Sequence, residues 1–198
     1  MVKRILAAVA GAAIAAACYP ALSGTLTPVW LPPRAQQKTL TDFNSALPPP
    51  PVFDATPARL LIPAIGVDAT VEARGLDGQR NLATPADFRD VAWYELGPRP
   101  GEPGNAIVNG HVNWWTGDAV FTNLHRLRVG DVVRVVQTDG RILTFKVTSS
   151  QTVDAGARLA TLFAPSVRST LTLITCSGVW DPLLRSNTRR LLVTASLA

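Results

Sequence analysis

Short β-type runs separated by turn residues fill the chain from Arg59 onward, and they constrain its fold more than any other feature. The runs are rich in Val, Ile, Leu and Thr, as in "RLLIPAIGVDATVEA", "NAIVNGHV", "TLTLIT" and "RRLLVTA". In "DVVRVVQTDGRILTFKV" the residues Thr138 to Gly140 separate two such runs, which is the pattern of a hairpin. Many short strands at this spacing predict a mainly β domain that forms a closed barrel or a sandwich.

The composition supports one globular unit with appendages. At 198 residues and 47% hydrophobic content, the chain is long enough for a single domain with a substantial core. Helical patterns are few and short, near residues 85–89, 119–126 and 158–162. The globular part is therefore expected to be built mainly of strands.

An apolar run follows a basic N-terminus. Lys3 and Arg4 precede "ILAAVAGAAIAAACYPAL", which is almost uncharged and about long enough to cross a bilayer. We interpret residues 1–22 as an uncleaved membrane anchor, with a cleaved signal peptide as the alternative that would give a secreted protein. Positive charges before the run place the N-terminus in the cytoplasm. The predicted location is the cell membrane, in a single pass, with the rest of the chain extracellular.

A Pro-rich stretch follows the membrane segment. Residues 23–56 are rich in Pro, Gln, Thr and Ser and show no sustained apolar period, which is typical of an extended spacer. The predicted organisation is a signal or anchor over residues 1–22, a linker over 23–56 and a globular domain over 57–198.

The charge of the chain argues against a nucleic-acid partner. The formal net charge is +5, but after the first 55 residues there are 15 basic and 12 acidic side chains, which leaves only +3. The basic residues are spread along the chain and interleaved with acidic ones. This electrostatic footprint is too weak for a nucleic-acid-binding surface.

Cys176 ends the run "TLTLITC" and has no evident partner. The other cysteine, Cys18, belongs to the membrane run, so an exported Cys176 is expected to be unpaired. An unpaired thiol outside the cytoplasm is open to oxidation, which argues either for deep burial or for reactivity. The flexible Ser-Gly that follows favours a reactive thiol at the rim of a strand.

A nucleophilic thiol needs a nearby group that exchanges protons near neutral pH, and histidine suits this best. The chain has two histidines. His111 follows the apolar run "NAIVNG", where Gly110 allows a close turn and the ring can face a cleft. His125 lies between leucines in "NLHRL", where an exposed position on a short helix is expected. We therefore predict that His111 is the functional histidine.

Acyl transfer also needs a group that stabilises an oxyanion, and an arginine can supply it. Arg185, Arg189 and Arg190 lie shortly after Cys176. Because strand side chains alternate between faces, Arg189 and Arg190 are expected on opposite sides, so only one of them can face the thiol.

Together these motifs resemble the signature of the sortases, which are cysteine transpeptidases of Gram-positive cell surfaces. "NGHV" precedes "TLITC", and an arginine opens the terminal apolar strand. The similarity runs from about Pro57 to the C-terminus through "RLLIPAIGVDATVEARGLD", "PGEPGNAIVNGHVN" and "AVFTNLHRLRVGDVVRV", in the order of the family. The chain most resembles the actinobacterial class often called class F.

The resemblance implies a closed eight-stranded β-barrel with Cys176 as nucleophile and His111 as general acid and base. It implies an arginine at the terminal strand that binds substrate and stabilises the oxyanion. Arg189 has the family's spacing from Cys176, whereas counting back from "LLVTA" also admits Arg190; we select Arg189. Asn113 stands where this class often has an acidic residue, and no metal and no cofactor are expected.

The substrates follow from the same resemblance. A monomeric, membrane-attached enzyme would cleave an LPxTG-like sorting signal of a surface protein between Thr and Gly and form a thioacyl intermediate. An amine, such as that of a peptidoglycan precursor, or water would then release the product.

Two alternatives remain open at the level of sequence. An L,D-transpeptidase is also an exported cysteine enzyme, but its His-Gly-Cys cluster is missing, because Thr175 precedes Cys176. A non-catalytic barrel that binds peptides of the cell envelope would need no ionisable thiol.

Overall fold

The structure, a computed structural model, describes residues 54–183 and 186–198, all within a compact unit that spans Pro50–Ala198. In these residues three short 3-10 helices lie between the strands, at Pro63–Ile65, Leu124–Arg126 and Ala160–Phe163. The strands are β1 (Pro57–Ile62), β2 (Val67–Arg74), β3 (Val91–Tyr94), β4 (Gly104–Gly110), β5 (Asn113–Trp114), β6 (Gly117–Asp118), β7 (Val132–Gln137), β8 (Ile142–Asp154), β9 (Ser169–Asp181) and β10 (Ser186–Leu197).

Eight of these strands close into a barrel. Their order around the wall is β1-β2-β3-β4-β9-β10-β8-β7, and β7 pairs with β1 to complete the circle. The pairs β2–β3 and β4–β9 are parallel, and the other neighbours in the wall are antiparallel. Closure gives every barrel strand two neighbours and so removes the exposed edges of an open sheet. The prediction of a mainly β, closed eight-stranded barrel is confirmed.

The core fills the interior of the barrel because strand side chains alternate between two faces. Ala106 and Val108 of β4 lie in this core, as do Leu171 and Leu173 of β9. Burial of the inner face contributes about 25 cal/mol per Å² of apolar surface removed from water, which favours closure over an open sheet. The residues between these positions form the outer face of the wall.

The hairpin between β7 and β8 turns where the sequence predicts it. Gly140 has a φ of 83°, a left-handed conformation that glycine adopts without a steric penalty. The backbone N–H of Arg141 donates to the Asp139 carboxylate at 3.0 Å and closes the turn. This predicted feature is confirmed.

The predicted helices are shorter than expected. Two of the three regions contain only a 3-10 turn, at Leu124–Arg126 and Ala160–Phe163. The prediction of a helix near residues 85–89 is wrong, because the Asp87 carboxylate accepts a hydrogen bond from the Arg89 backbone N–H at 2.8 Å. Such local bonds compete with the bonds of a helix.

The predicted membrane segment, residues 1–22, lies outside the described residues, as does the predicted linker up to residue 53. In the part of the chain that the structure describes, no helix has the length and apolar character needed to cross a bilayer. The division at residues 22 and 56 therefore stays a prediction.

Candidate active site

Cys176 lies on β9, on the outer face of the barrel wall. Leu173 belongs to the core, and three steps of strand alternation from it turn the Cys176 side chain outward. The residue is half-buried and is a free cysteine. The sequence predicts a reactive thiol at the rim of a strand, and its reactivity stays a prediction.

His111 follows the last residue of β4, the strand that pairs with the Cys176 strand β9. The β4–β9 pair is parallel, and its ladder runs up to Asn109. Beyond that point the Thr175 hydroxyl donates to the Gly110 carbonyl at 2.8 Å, so the two strands are still adjacent. One further step in the same direction brings the backbone of His111 level with that of Cys176.

The backbone at His111 is fixed by the segment that leads to β7. Its carbonyl accepts a hydrogen bond from the Phe121 N–H at 2.9 Å. Gly110 has no room for a side chain, since a Cβ there would lie 2.7 Å from Val120 and 2.8 Å from Phe121. Gly110 therefore allows the backbone to pass close to Val120 and Phe121, and this packing helps to fix the backbone position of His111.

Arg190, rather than Arg189, stands directly opposite Cys176. The β9–β10 register pairs Arg190 with Cys176 and Arg189 with Ser177. Arg189 instead lies 3.9 Å from the carboxylate of Asp154, its partner on β8, and is largely exposed. Since strand side chains alternate, this register sets the Arg190 side chain on the same face as Cys176 and the Arg189 side chain on the other.

The Arg190 guanidinium is held along its own strand. It donates to the Ser186 hydroxyl at 2.8 Å and to the carbonyls of Asn187 and Arg189, both at 2.9 Å. All three partners lie on β10 itself, and the guanidinium points along the strand towards Ser186, the register partner of Asp181. The pairings of β4 with β9 and of β9 with β10 thus set His111, the first residue after β4, Cys176 and Arg190 in one row of backbone positions.

His125 takes no part in this row. It lies in the 3-10 turn Leu124–Arg126, is exposed, and contacts the Thr122 carbonyl through Nδ1 at 3.1 Å. The sequence-based preference for His111 over His125 therefore agrees with the placement of the two rings.

A short segment before β9 forms a wall beside the outer face. Asn105 of β4 donates to the Leu162 carbonyl at 3.0 Å and accepts from the Thr172 hydroxyl at 2.9 Å. Phe163 meets the Tyr94 ring edge to face at 6.0 Å. These contacts hold the turn Ala160–Phe163 over the strands that lead to Cys176 and His111. The sequence analysis did not single out any of these residues.

Aromatic rings flank His111, and the sequence analysis missed them too. Trp114 meets the His111 ring at 5.1 Å between centroids and 60° between planes. Phe88 stacks on the other side of Trp114 at 5.7 Å and 11°. The consecutive tryptophans of "NWW", three residues after the histidine, were the available signal.

A carboxylate anchors the loop that carries Phe88. Glu72 accepts hydrogen bonds from the Ala86 backbone N–H at 3.0 Å and from Arg74 at 2.8 Å. Burial raises the pKa of the Glu72 carboxyl, but the bonds from Arg74 and Ala86 outweigh burial, and the pKa lies below its ordinary value. Glu72 is therefore ionised at neutral pH and ties the loop to β2.

In the described ranges no group of three His, Cys, Asp or Glu side chains is placed to hold a metal ion. The expectation that the enzyme needs no metal stays a prediction.

Comparison with known proteins decides the family. The model of the sortase domain matches residues 60–198. The chain belongs to the sortase family. The comparison with curated proteins gives no match.

Solved sortases share the fold. Sortase C-1 from Actinomyces oris is 27% identical, with 71% of this chain and 72% of that chain covered and a TM-score of 0.56. Sortase C2 of Pilus Island 1 from Group B Streptococcus is 24% identical, with coverage of 71% and 72% and a TM-score of 0.55. Sortase C from Clostridium perfringens is 22% identical, with coverage of 74% and 71% and a TM-score of 0.54.

Family membership gives the general activity. Sortases in general are cysteine transpeptidases that act on sorting signals and amine acceptors. Membership of the family supports a cysteine transpeptidase activity for this chain. The sequence-based interpretation as a sortase is confirmed at this level, and the family match decides against an L,D-transpeptidase.

The substitution Gly110→Ala tests the support of His111. The added methyl group must displace Val120 and Phe121, and we expect the free energy of unfolding to fall by about 1–3 kcal/mol. Urea denaturation measures this change. Gly156→Ala is the matched control, because a Cβ there meets nothing within 4 Å. Equal stability of the two variants would contradict the tight approach at Gly110.

Proposed function

We propose that this sortase cleaves an LPxTG-like sorting signal between Thr and Gly and joins the Thr carbonyl to an amine, such as that of a peptidoglycan precursor, or to water. The row of His111, which follows β4, Cys176 on β9 and Arg190 on β10 carries the proposal. A nucleophile, a proton donor and a fixed cation are the three groups that acyl transfer requires.

In the first step the Cys176 thiolate attacks the carbonyl carbon of the Thr residue. The C–N bond to Gly breaks, and the His111 imidazolium gives its proton to the departing amine. A thioester between Cys176 and the Thr carbonyl remains, and His111 is left neutral.

In the second step the acceptor amine attacks the thioester carbonyl. The C–S bond breaks as the new amide bond forms, His111 takes the proton from the attacking nitrogen, and the Cys176 thiolate returns. Water in place of the amine gives hydrolysis by the same route. Positions fixed by the barrel wall lower the entropic cost of both steps.

Arg190 is proposed as the cation that stabilises the oxyanion in both steps. Its register partner is Cys176, and its guanidinium is held by the Ser186 hydroxyl and by the carbonyls of Asn187 and Arg189. Arg189, selected from sequence spacing, is turned towards Asp154 on the neighbouring strand. Its role in catalysis stays a prediction, and the two residues can be compared directly by substitution.

The finer classification and the membrane attachment also belong to the proposal. The order of "NGHV", "TLITC" and the terminal arginine supports the class F assignment. The basic N-terminus and apolar run support an anchor over residues 1–22, a linker over 23–56 and an extracellular, monomeric catalytic domain over 57–198.

The nucleophile is tested with a thiol-reactive methanethiosulfonate and a fluorogenic LPxTG-type peptide at neutral pH. We expect the native chain to be labelled and to cleave the peptide, and Cys176→Ala to lose cleavage down to the background of the peptide alone. Cys18→Ala is the matched control, since it removes the other cysteine and should keep both properties.

A contrary result is informative. One such result is a native protein that reacts with the methanethiosulfonate but does not cleave the peptide, together with a Cys176→Ala variant that still binds the peptide. It would favour the non-catalytic peptide-binding barrel.

The arginine is tested by comparing Arg190→Ala with Arg189→Ala in the same peptide assay. We expect kcat to fall by about 10²- to 10³-fold in Arg190→Ala, the range for loss of an oxyanion-stabilising donor. Arg189→Ala should keep near-native activity, because its ion pair is long and exposed. The reverse order of the two effects would assign the role to Arg189.

Membrane attachment is tested by deleting residues 1–22 and separating membranes from supernatant after expression. The full chain should stay with the membranes through an alkaline wash, and the shortened chain should be released with its peptide cleavage intact. A shortened chain that still sediments with membranes would contradict the anchor.

A further inference from the structure

His111 lies just beyond the end of a strand, so strand pairing does not fix the orientation of its ring. β4 ends at Gly110, so His111 belongs to the connection that follows. Within residues 54–183 and 186–198, no hydrogen bond reaches either nitrogen of this ring. The hydrogen bond from the Phe121 N–H fixes the backbone position of His111 but leaves the ring free to turn about its side-chain bonds.

The Trp114 indole supplies the orientation that hydrogen bonds do not. Its ring meets the imidazole at 5.1 Å and 60°, an edge-to-face contact of the kind that aromatic pairs prefer.

Trp114 is itself held in a frame that includes the backbone of His111. Phe88 stacks on Trp114 at 5.7 Å, and the Phe88 carbonyl accepts a hydrogen bond from the Val120 N–H at 2.9 Å. The next residue, Phe121, donates to the His111 carbonyl. Two successive backbone bonds thus tie the stacked rings and the histidine to the same short segment.

We propose that Trp114 is a positioning residue that holds the His111 ring towards Cys176 during acyl transfer. The proposal deepens the proposed function and rests on it. Trp114 acts through His111 and needs no contact with substrate. Because proton transfer depends on placement within a few tenths of an ångström to one ångström, a freely turning ring would slow the chemical steps more than the binding of peptide.

Four variants separate positioning from other roles. Trp114→Leu removes the aromatic ring and keeps apolar bulk, and Trp114→Phe restores a ring. Trp115→Ala is the matched control, because this neighbour is 89% exposed and contacts Trp114 rather than His111. Phe88→Leu removes the support behind Trp114 and leaves the direct contact in place.

We expect kcat for the LPxTG-type peptide to fall by about 2- to 10-fold in Trp114→Leu with KM unchanged, the range that an aromatic pair accounts for. Trp114→Phe should recover most of the loss, Phe88→Leu should show a smaller loss, and Trp115→Ala should match the native chain. Unchanged kcat in Trp114→Leu, or a rise in KM alone, would overturn the proposal.

Nuclear magnetic resonance gives a readout that does not depend on turnover. The chain has two histidines, so the ring-proton signals of His111 can be followed with those of His125 as an internal reference. Loss of the indole ring current in Trp114→Leu should move the His111 signals and leave those of His125 in place. Unmoved His111 signals would overturn the proposal even if activity fell.

Peptide cleavage and the His111 signals together separate a failure of the proposed function from a failure of the positioning role of Trp114. If the native chain cleaves no peptide, the proposed function fails, and the His111 signals alone decide whether Trp114 orients the ring. If the native chain is active and Trp114→Leu behaves like Trp115→Ala, only the positioning role fails.

Discussion

The parallel pairing of β4 with β9 is the constraint on which the candidate site depends. In a parallel pair both backbones run in the same direction, so His111 and Cys176 each follow one of the adjacent residues Gly110 and Thr175, although 65 positions separate them in sequence. The inner faces of both strands are buried, and a slip of one residue would expose Ala106 and Val108 while burying polar side chains. Burial of the core therefore fixes the register that sets His111 beside Cys176.

Burial of the core also determines which arginine lies on the face of Cys176. β10 runs antiparallel to β9, and its core residue Leu191 fixes which of its side chains point inward. Arg190, the next residue along the strand, must then share the outer face of Cys176, whereas Arg189 turns to the side of Asp154. Spacing along the chain cannot distinguish adjacent arginines, because the distance from Cys176 includes a turn whose length says nothing about register.

Strand pairing fixes the backbone at Cys176 and Arg190, and the connections between strands supply the contacts of the histidine ring. The segment after β4 passes closely over Gly110, bonds to the His111 carbonyl through Phe121 and brings Trp114 against the imidazole. Phe88 comes from the loop before β3, which Glu72 holds through the Ala86 N–H. The packing around the His111 ring is thus drawn from two separate loops.

The sequence alone determined the class of fold, because alternating β-branched runs and the Asp139-Gly140 turn depend on local geometry, and it marked Cys176 as the candidate nucleophile and His111 as the candidate proton donor. It overestimated helix near residues 85–89, where a side-chain bond from Asp87 competes with helical bonds. Only the tertiary structure decided which arginine faces the thiol and that Trp114 meets the histidine. Both depend on pairings between residues far apart in the chain, which follow from burial of the whole core and leave no local pattern.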